Sequence, residues 1–328
     1  MSLSPKRAEW EAEEFLTACE YELGCSPDTV SFYRKKLRPF LAWVSNQETI
    51  EQIDATILRQ YFRHLKDRGL SDNGRHAYLR ALRTWFNFLV RRKVILSSPL
   101  TEADLRIKST WKRPTIPRAD DLHRLLVQMK ADVFPRGADR PNFLRLRDYA
   151  LVLWYLETGA RRREGLIRLD QVDLEYGRAV TEPKVKTADT RSLFFHAIRP
   201  LMRRYLEERL PYLKALGRED EPALWVGGQG EALTPDAVSH IFQRIKRRYG
   251  WPSAFHPHKL RAVAATWAAM AKDRTALEIR MGWSPNTPVA RRYIELAQEQ
   301  EALLQMQEAL SPLRAMSRLR RGVRHNRT

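Results

Sequence analysis

Four short stretches of the chain carry side chains able to handle a phosphate ester. They are Thr158-Gly159-Ala160-Arg161-Arg162-Arg163-Glu164, Lys184-Val185-Lys186-Thr187, His258-Lys259-Leu260-Arg261, and Met281-Gly282-Trp283 with Tyr293 ten residues on. Gly159 breaks an apolar run, so the first arginine after it is delivered from a sharp corner, where a guanidinium can clamp two nonbridging oxygens in a bidentate fork. Glu164, three residues later, can hold that guanidinium; the bland alternative is the basic start of a surface helix. A lysine at a hairpin tip can protonate a departing oxygen, although such lysines are also commonly just solvated. Spacing of three puts His258 and Arg261 on one helical face, giving a proton acceptor beside a second charge clamp, or else a core histidine beside a surface arginine. A tyrosine hydroxyl, with an ordinary pKa near 10, is a poor nucleophile until a cation stabilises its phenolate and a base takes its proton. Trp283 can donate its indole N–H to a phosphate oxygen or buttress the pocket wall.

The composition selects the substrate class. Lys and Arg number 58 against 39 Asp and Glu in 328 residues, a formal net charge of +19 that calls for a polyanionic partner, with nucleic acid first and a membrane surface second. The longest apolar stretch, Tyr149 to Leu156, is far too short to span a bilayer, so no membrane is expected. The opening residues become charged at once and hold no apolar signal core, and Cys19 and Cys25 cannot supply a disulfide framework; a cytoplasmic, nucleoid-associated protein is expected. P-loop, dinucleotide-turn and Gly-x-Ser-x-Gly patterns are missing, and His256 and His258 lack partners at a zinc spacing. No metal or cofactor is therefore expected. Phosphate chemistry must then come from arginine, lysine and a side-chain hydroxyl.

Two bodies are needed to carry these stretches, since one core rarely grows past about 250–300 residues. Apolar residues recur at helical spacing in four segments of the first 95 residues. Ser26 before Pro27, Asp54 and Ser71 serve as helix caps, Gly69 as a stop and Pro39 as a kink, making a compact helical bundle. Residues 96–118, rich in proline and basic side chains, are expected to form an extended interdomain linker able to follow a phosphate backbone. From 119 to 297 the pattern is mixed. Helices are expected near 119–130, 142–159, 161–168, 197–215, 235–248, 258–271, 274–281 and 287–308, with strands at Arg178–Glu182 and Arg191–His196. Residues 298–328 read as an amphipathic helix carrying Leu303, Leu304, Met306 and Leu310, followed by an arginine-rich tail.

Taken together, Arg161, Lys186, His258-x-x-Arg261, Trp283 and Tyr293 resemble the active site of tyrosine recombinases, the phage-integrase family. TGARRRE is similar to the family's first arginine box, KTADTRSLFF to its lysine β-hairpin, HKLRAVAAT to its His-x-x-Arg helix and MGWSPNTPVARRY to its Gly-His-to-Tyr segment. Trp283 stands where most members have histidine, although Cre-type recombinases also use tryptophan there, and Ala262 follows Arg261 where histidine is usual. Lys184 is the rival of Lys186.

The resemblance implies a mainly α fold with a small β-sheet, in which an N-terminal helical core-binding bundle precedes a mixed α/β catalytic domain, without an arm-type domain ahead of the bundle. It further implies a site-specific recombinase that cuts and rejoins double-stranded DNA without metal or ATP. Tyr293 is then the nucleophile that forms a 3′-phosphotyrosyl bond. Arg161 and Arg261 neutralise the phosphate, His258 receives the tyrosine proton, Lys186 protonates the leaving 5′ oxygen and Trp283 positions the phosphate. A homotetramer is implied on paired sites, with a monomer or weak oligomer free of DNA and the C-terminal helix exchanged between protomers. The competing readings are a type IB topoisomerase-like enzyme and a DNA-binding accessory protein without chemistry.

Overall fold

In the computed structural model the chain divides into two compact units, Met1–Arg113 and Pro114–Thr328. The structure describes residues 8–44, 49–108, 116–135, 140–182, 190–251 and 255–310, with the backbone alone at 300 and 303–310.

The first unit is a bundle of α1 (Ala8–Tyr21), α2 (Pro27–Trp43), α3 (Ala55–Asp67), α4 (Asp72–Arg91) and the short α5 (Pro99–Ala103). Its helix starts are set locally. The side chains of Ser26, Asp54 and Ser71 accept from the backbone N–H of Thr29, Ile57 and Gly74, satisfying donors that a helix start leaves open. Helix α2 runs on through Pro39. Phe15, Phe40, Trp85 and Phe86 are fully buried, and Phe40 meets Tyr61 edge-on at 5.0 Å between ring centres, an arrangement worth about 0.5–1.5 kcal/mol beyond its buried area. One expectation is corrected here: residues 96–118 are not uniformly an extended linker. Pro99 starts α5, which packs on α3, and Leu100 and Ala103 are buried in the bundle core with Leu105 and Ile107 against it. Those apolar positions are too few to show a period, which is why the segment read as linker.

The second unit comprises α6 (Ala119–Val133), α7 (Phe143–Thr158), β1 (Val172–Asp173), β2 (Arg178–Val180), β3 (Ser192–Phe194), α8 (Arg199–Lys214), α9 (Pro235–Arg248), α10 (Pro257–Ala269), α11 (Arg274–Met281) and α12 (Pro288–Leu310). Helix α7 is apolar through its middle, as a helix surrounded by protein must be; Ala150, Leu151, Val152, Trp154 and Tyr155 are all fully buried, with α6, α8 and α10 packed around it. The strands form one antiparallel sheet in the order β1-β2-β3, with Val172 opposite Ala179 and Ala179 opposite Leu193. The two-residue β1 carries too little pattern to be foreseen.

The helix expected over 161–168 is absent: residues 162–165 form a turn. The Glu164 carboxylate accepts the Arg161 backbone N–H at 3.0 Å, a local side-chain bond that competes with helix continuation. A third apolar cluster ties α10, α11 and α12 together through Ala265, Ala269, Leu277, Met281, Ala290 and Ala297. Five of these six are small or unbranched side chains, which lets the helices approach closely.

Candidate active site

The site is built where two helices end. Helix α7 terminates at Gly159 and α11 at Gly282; both glycines are left-handed, at φ of +58° and +59°, a conformation costly for any residue with a Cβ. The turn after Gly159 delivers Arg161 and the turn after Gly282 delivers Trp283. Arg161 bridges the two corners, since its guanidinium pairs with Glu164 and donates to the Gly282 carbonyl at 3.1 Å. Arg162 points elsewhere: it is exposed and donates to the Ser239 hydroxyl at 2.7 Å on α9.

Arg261 enters from α10. Its side chain is only 5% exposed, and its guanidinium donates to the carbonyls of Gly159 and Met281 while lying 3.9 Å from Glu164 Oε2. Burial, together with the charges of Arg161 and Arg191, holds Arg261 below the usual arginine value. It stays cationic nonetheless, because a guanidinium does not give up its proton at neutral pH. The guanidinium carbon sits 5.6 Å from the centre of the Trp283 ring, and Trp283 stacks on Tyr293 at 5.5 Å with 23° between the planes. Arginine, indole and phenol thus form one continuous row.

Tyr293 lies half-buried on the first turns of α12, held in its own chain by the α10–α11–α12 cluster. Burial raises its pKa, with the nearby positive charge of Arg261 acting in the opposite direction. His258 sits one turn before Arg261; desolvation of its ring and the charges of Arg261, Arg161 and Lys259 hold it below the usual imidazole value. A neutral imidazole can accept a proton. Glu164 is pushed up by burial, but the hydrogen bonds and charges of Arg161 and Arg191 prevail and keep it an anion.

Arg161, His258, Arg261, Trp283 and Tyr293 are therefore brought together. Lys184 and Lys186 lie outside the described residues, as do the side chains of Leu303, Leu304, Met306 and Leu310 and the arginine-rich tail. Arg191, five residues after Lys186 in the sequence, immediately precedes β3. Arg191 itself was missed. Its only sequence signal is a lone cation just ahead of the apolar run Leu193-Phe194-Phe195.

The family model described as the phage integrase family matches residues 118–300, and that of the phage integrase N-terminal SAM-like domain matches residues 12–93. The chain belongs to the phage integrase family. A tyrosine recombinase XerC 2 from Ralstonia nicotianae is 30% identical over 259 residues, covering 74% of this chain and 69% of the relative. Among solved structures, the XerH site-specific recombinase bound to a palindromic difH substrate in a post-cleavage complex aligns with a TM-score of 0.63 at 19% identity, covering 92% of this chain and 85% of the other. A lambda integrase tetramer bound to a Holliday junction aligns with a TM-score of 0.65 at 16% identity, covering 87% and 76%.

Proposed function

We propose that this chain is a tyrosine-type site-specific DNA recombinase. The reading is carried by the row Arg161–Glu164–Arg261–Trp283–Tyr293, in which one carboxylate joins two guanidinium groups and the second of them continues through an indole to a phenol. In the reaction, the Tyr293 oxygen bonds to the scissile phosphorus and the bond from phosphorus to the 5′ oxygen breaks. The phenol proton passes to His258, and Lys186 delivers a proton to the departing 5′ hydroxyl. Arg161 and Arg261 stabilise the charge that builds on the nonbridging oxygens, and Trp283 fixes the phosphate against Tyr293. One ester replaces another, so a 5′ hydroxyl from a partner duplex can reverse the step and complete the exchange. Two duplexes and four strands to be cut call for four protomers, each contributing one tyrosine; the bacterial nucleoid is the compartment that fits such a substrate.

The test is a pool of nicked duplexes with a randomised central window, in which the strand end beyond the scissile phosphate diffuses away after cleavage. The wild-type protein is expected to leave a denaturation-resistant protein–DNA adduct attached at the 3′ side, enriched for one sequence. Tyr293→Phe is expected to leave none. An adduct persisting in Tyr293→Phe removes Tyr293 from the role, and no adduct in the wild type overturns the reading.

A further inference from the structure

Arg191 is buried and fully engaged beside the site. Its side chain is 4% exposed. Nη1 donates to Glu164 Oε2 at 2.7 Å, Nε to the Arg280 carbonyl at 3.0 Å, and Nη2 to the Thr158 carbonyl at 3.0 Å and also to that of Arg280. Arg261 repeats the pattern one residue further along both helix ends, donating to the carbonyls of Gly159 and Met281. Two parallel guanidinium groups therefore cross-link the same two helix ends, where carbonyls would otherwise lack intrahelical partners. One of these ends delivers Arg161 and the other Trp283. The Arg191 backbone meanwhile closes the hairpin base: its N–H donates to the Thr181 hydroxyl at 3.0 Å, and its carbonyl accepts from the Thr181 N–H at 2.9 Å.

We infer that Arg191 is a positioning residue for strand cleavage: by taking one oxygen of Glu164, it keeps that carboxylate from pairing fully with Arg161, and so leaves Arg161 its charge for the phosphate. Glu164 presents Oε1 to the Arg161 guanidinium and Oε2 to the Arg161 backbone and to Arg191. Remove Arg191, and both oxygens turn to Arg161 in the bidentate form a guanidinium prefers, neutralising the group that should meet the ester. Lysine cannot substitute, because a point charge with a tetrahedral donor cannot reach one carboxylate and two carbonyls in a plane. With almost no exposed surface, Arg191 itself has no face to offer DNA. The inference rests on the proposed phosphotyrosyl reaction.

The test uses the full chain and the sequence enriched in the adduct experiment, as a nicked duplex with either an ordinary phosphate or an uncharged methylphosphonate at the scissile position. For Arg191→Lys, the unfolding midpoint is expected to fall because buried carbonyls lose donors, with the chain still folding cooperatively and duplex affinity close to wild type, while single-turnover cleavage of the phosphate falls by about 100-fold, the scale of a misplaced reacting group. On the uncharged ester the same variant is expected to lose less than about threefold, since no phosphate charge then awaits Arg161. Arg191→Met, which removes the charge, should show the same dependence if it folds. An equal loss on both esters, no loss on either, or failure of Arg191→Lys itself to fold would each overturn the inference and assign Arg191 to stability alone. Absence of an adduct with wild-type protein would instead strike the reaction on which it rests.

Discussion

Three guanidinium groups, those of Arg161, Arg191 and Arg261, share the single carboxylate of Glu164, leaving two positive charges in excess. A phosphodiester carries one negative charge and the phosphorane formed on attack by a phenolate carries two, so the surplus matches the transition state better than the bound ester. Removing Glu164 therefore exposes like charges to one another. Glu164→Ala is expected to destabilise the second unit by about 3–5 kcal/mol, read as a lower unfolding midpoint, because it leaves buried Arg191 uncompensated. The pH dependence has a definite sign. His258 is held below the usual imidazole value, so it is neutral and able to accept a proton at pH 7, and cleavage should decline only as pH falls below about 6.5. Rates measured across pH 5 to 9 check this; an acid limb centred above pH 7 would contradict it. At this scale the sequence was informative where the chemistry is carried by type and spacing, as at His258 and Arg261. It was silent about Arg191, whose acceptors at Thr158 and Arg280 are 33 and 89 residues away along the chain.

The elements explain how so small a constellation is held. Gly282 must be glycine twice over: its φ is +59°, and an added Cβ would lie 2.6 Å from Arg191 Cδ. Gly282→Ala is expected to cost about 1–3 kcal/mol of stability, from backbone strain together with the clash, and to slow cleavage by moving Trp283. Calorimetry and the adduct assay check both. The turn that follows is fixed by Glu278, whose carboxylate accepts from the backbone N–H groups of Asn286 and Thr287, each at 3.1 Å, and from Arg274 at 3.0 Å. Because this turn sets the start of α12, Glu278→Ala should lower the cleavage rate of bound DNA while leaving duplex affinity unchanged. A fall in affinity equal to the fall in rate would argue against that placement. Local signals such as the Ser26, Asp54 and Ser71 caps were legible because capping involves neighbours only. The false helix at 161–168 and the hidden α5 show the converse, since Glu164 folding back on Arg161 and Leu100 docking on the bundle core are choices that tertiary contacts make.

For the whole molecule, the surplus of +19 charges implies an association governed by counterion release. If six to ten phosphates are contacted, affinity for duplex DNA should drop by about 10³- to 10⁵-fold between 50 and 200 mM salt, measured as the slope of log affinity against log salt. A slope near zero would mean that the charge serves some other partner. Division into a helical unit and a catalytic unit was visible in the change of pattern after residue 95, although the fold carries the first unit on to Arg113. The phenol of Tyr293 is expected to become covalently joined to DNA. Protease digestion of the trapped adduct followed by mass spectrometry reads this directly: the peptide containing Arg292-Tyr293-Ile294 should carry the nucleotide, linked through its 3′ phosphate to the tyrosine oxygen. A nucleotide on any other residue, or a linkage to a 5′ phosphate, would contradict the account.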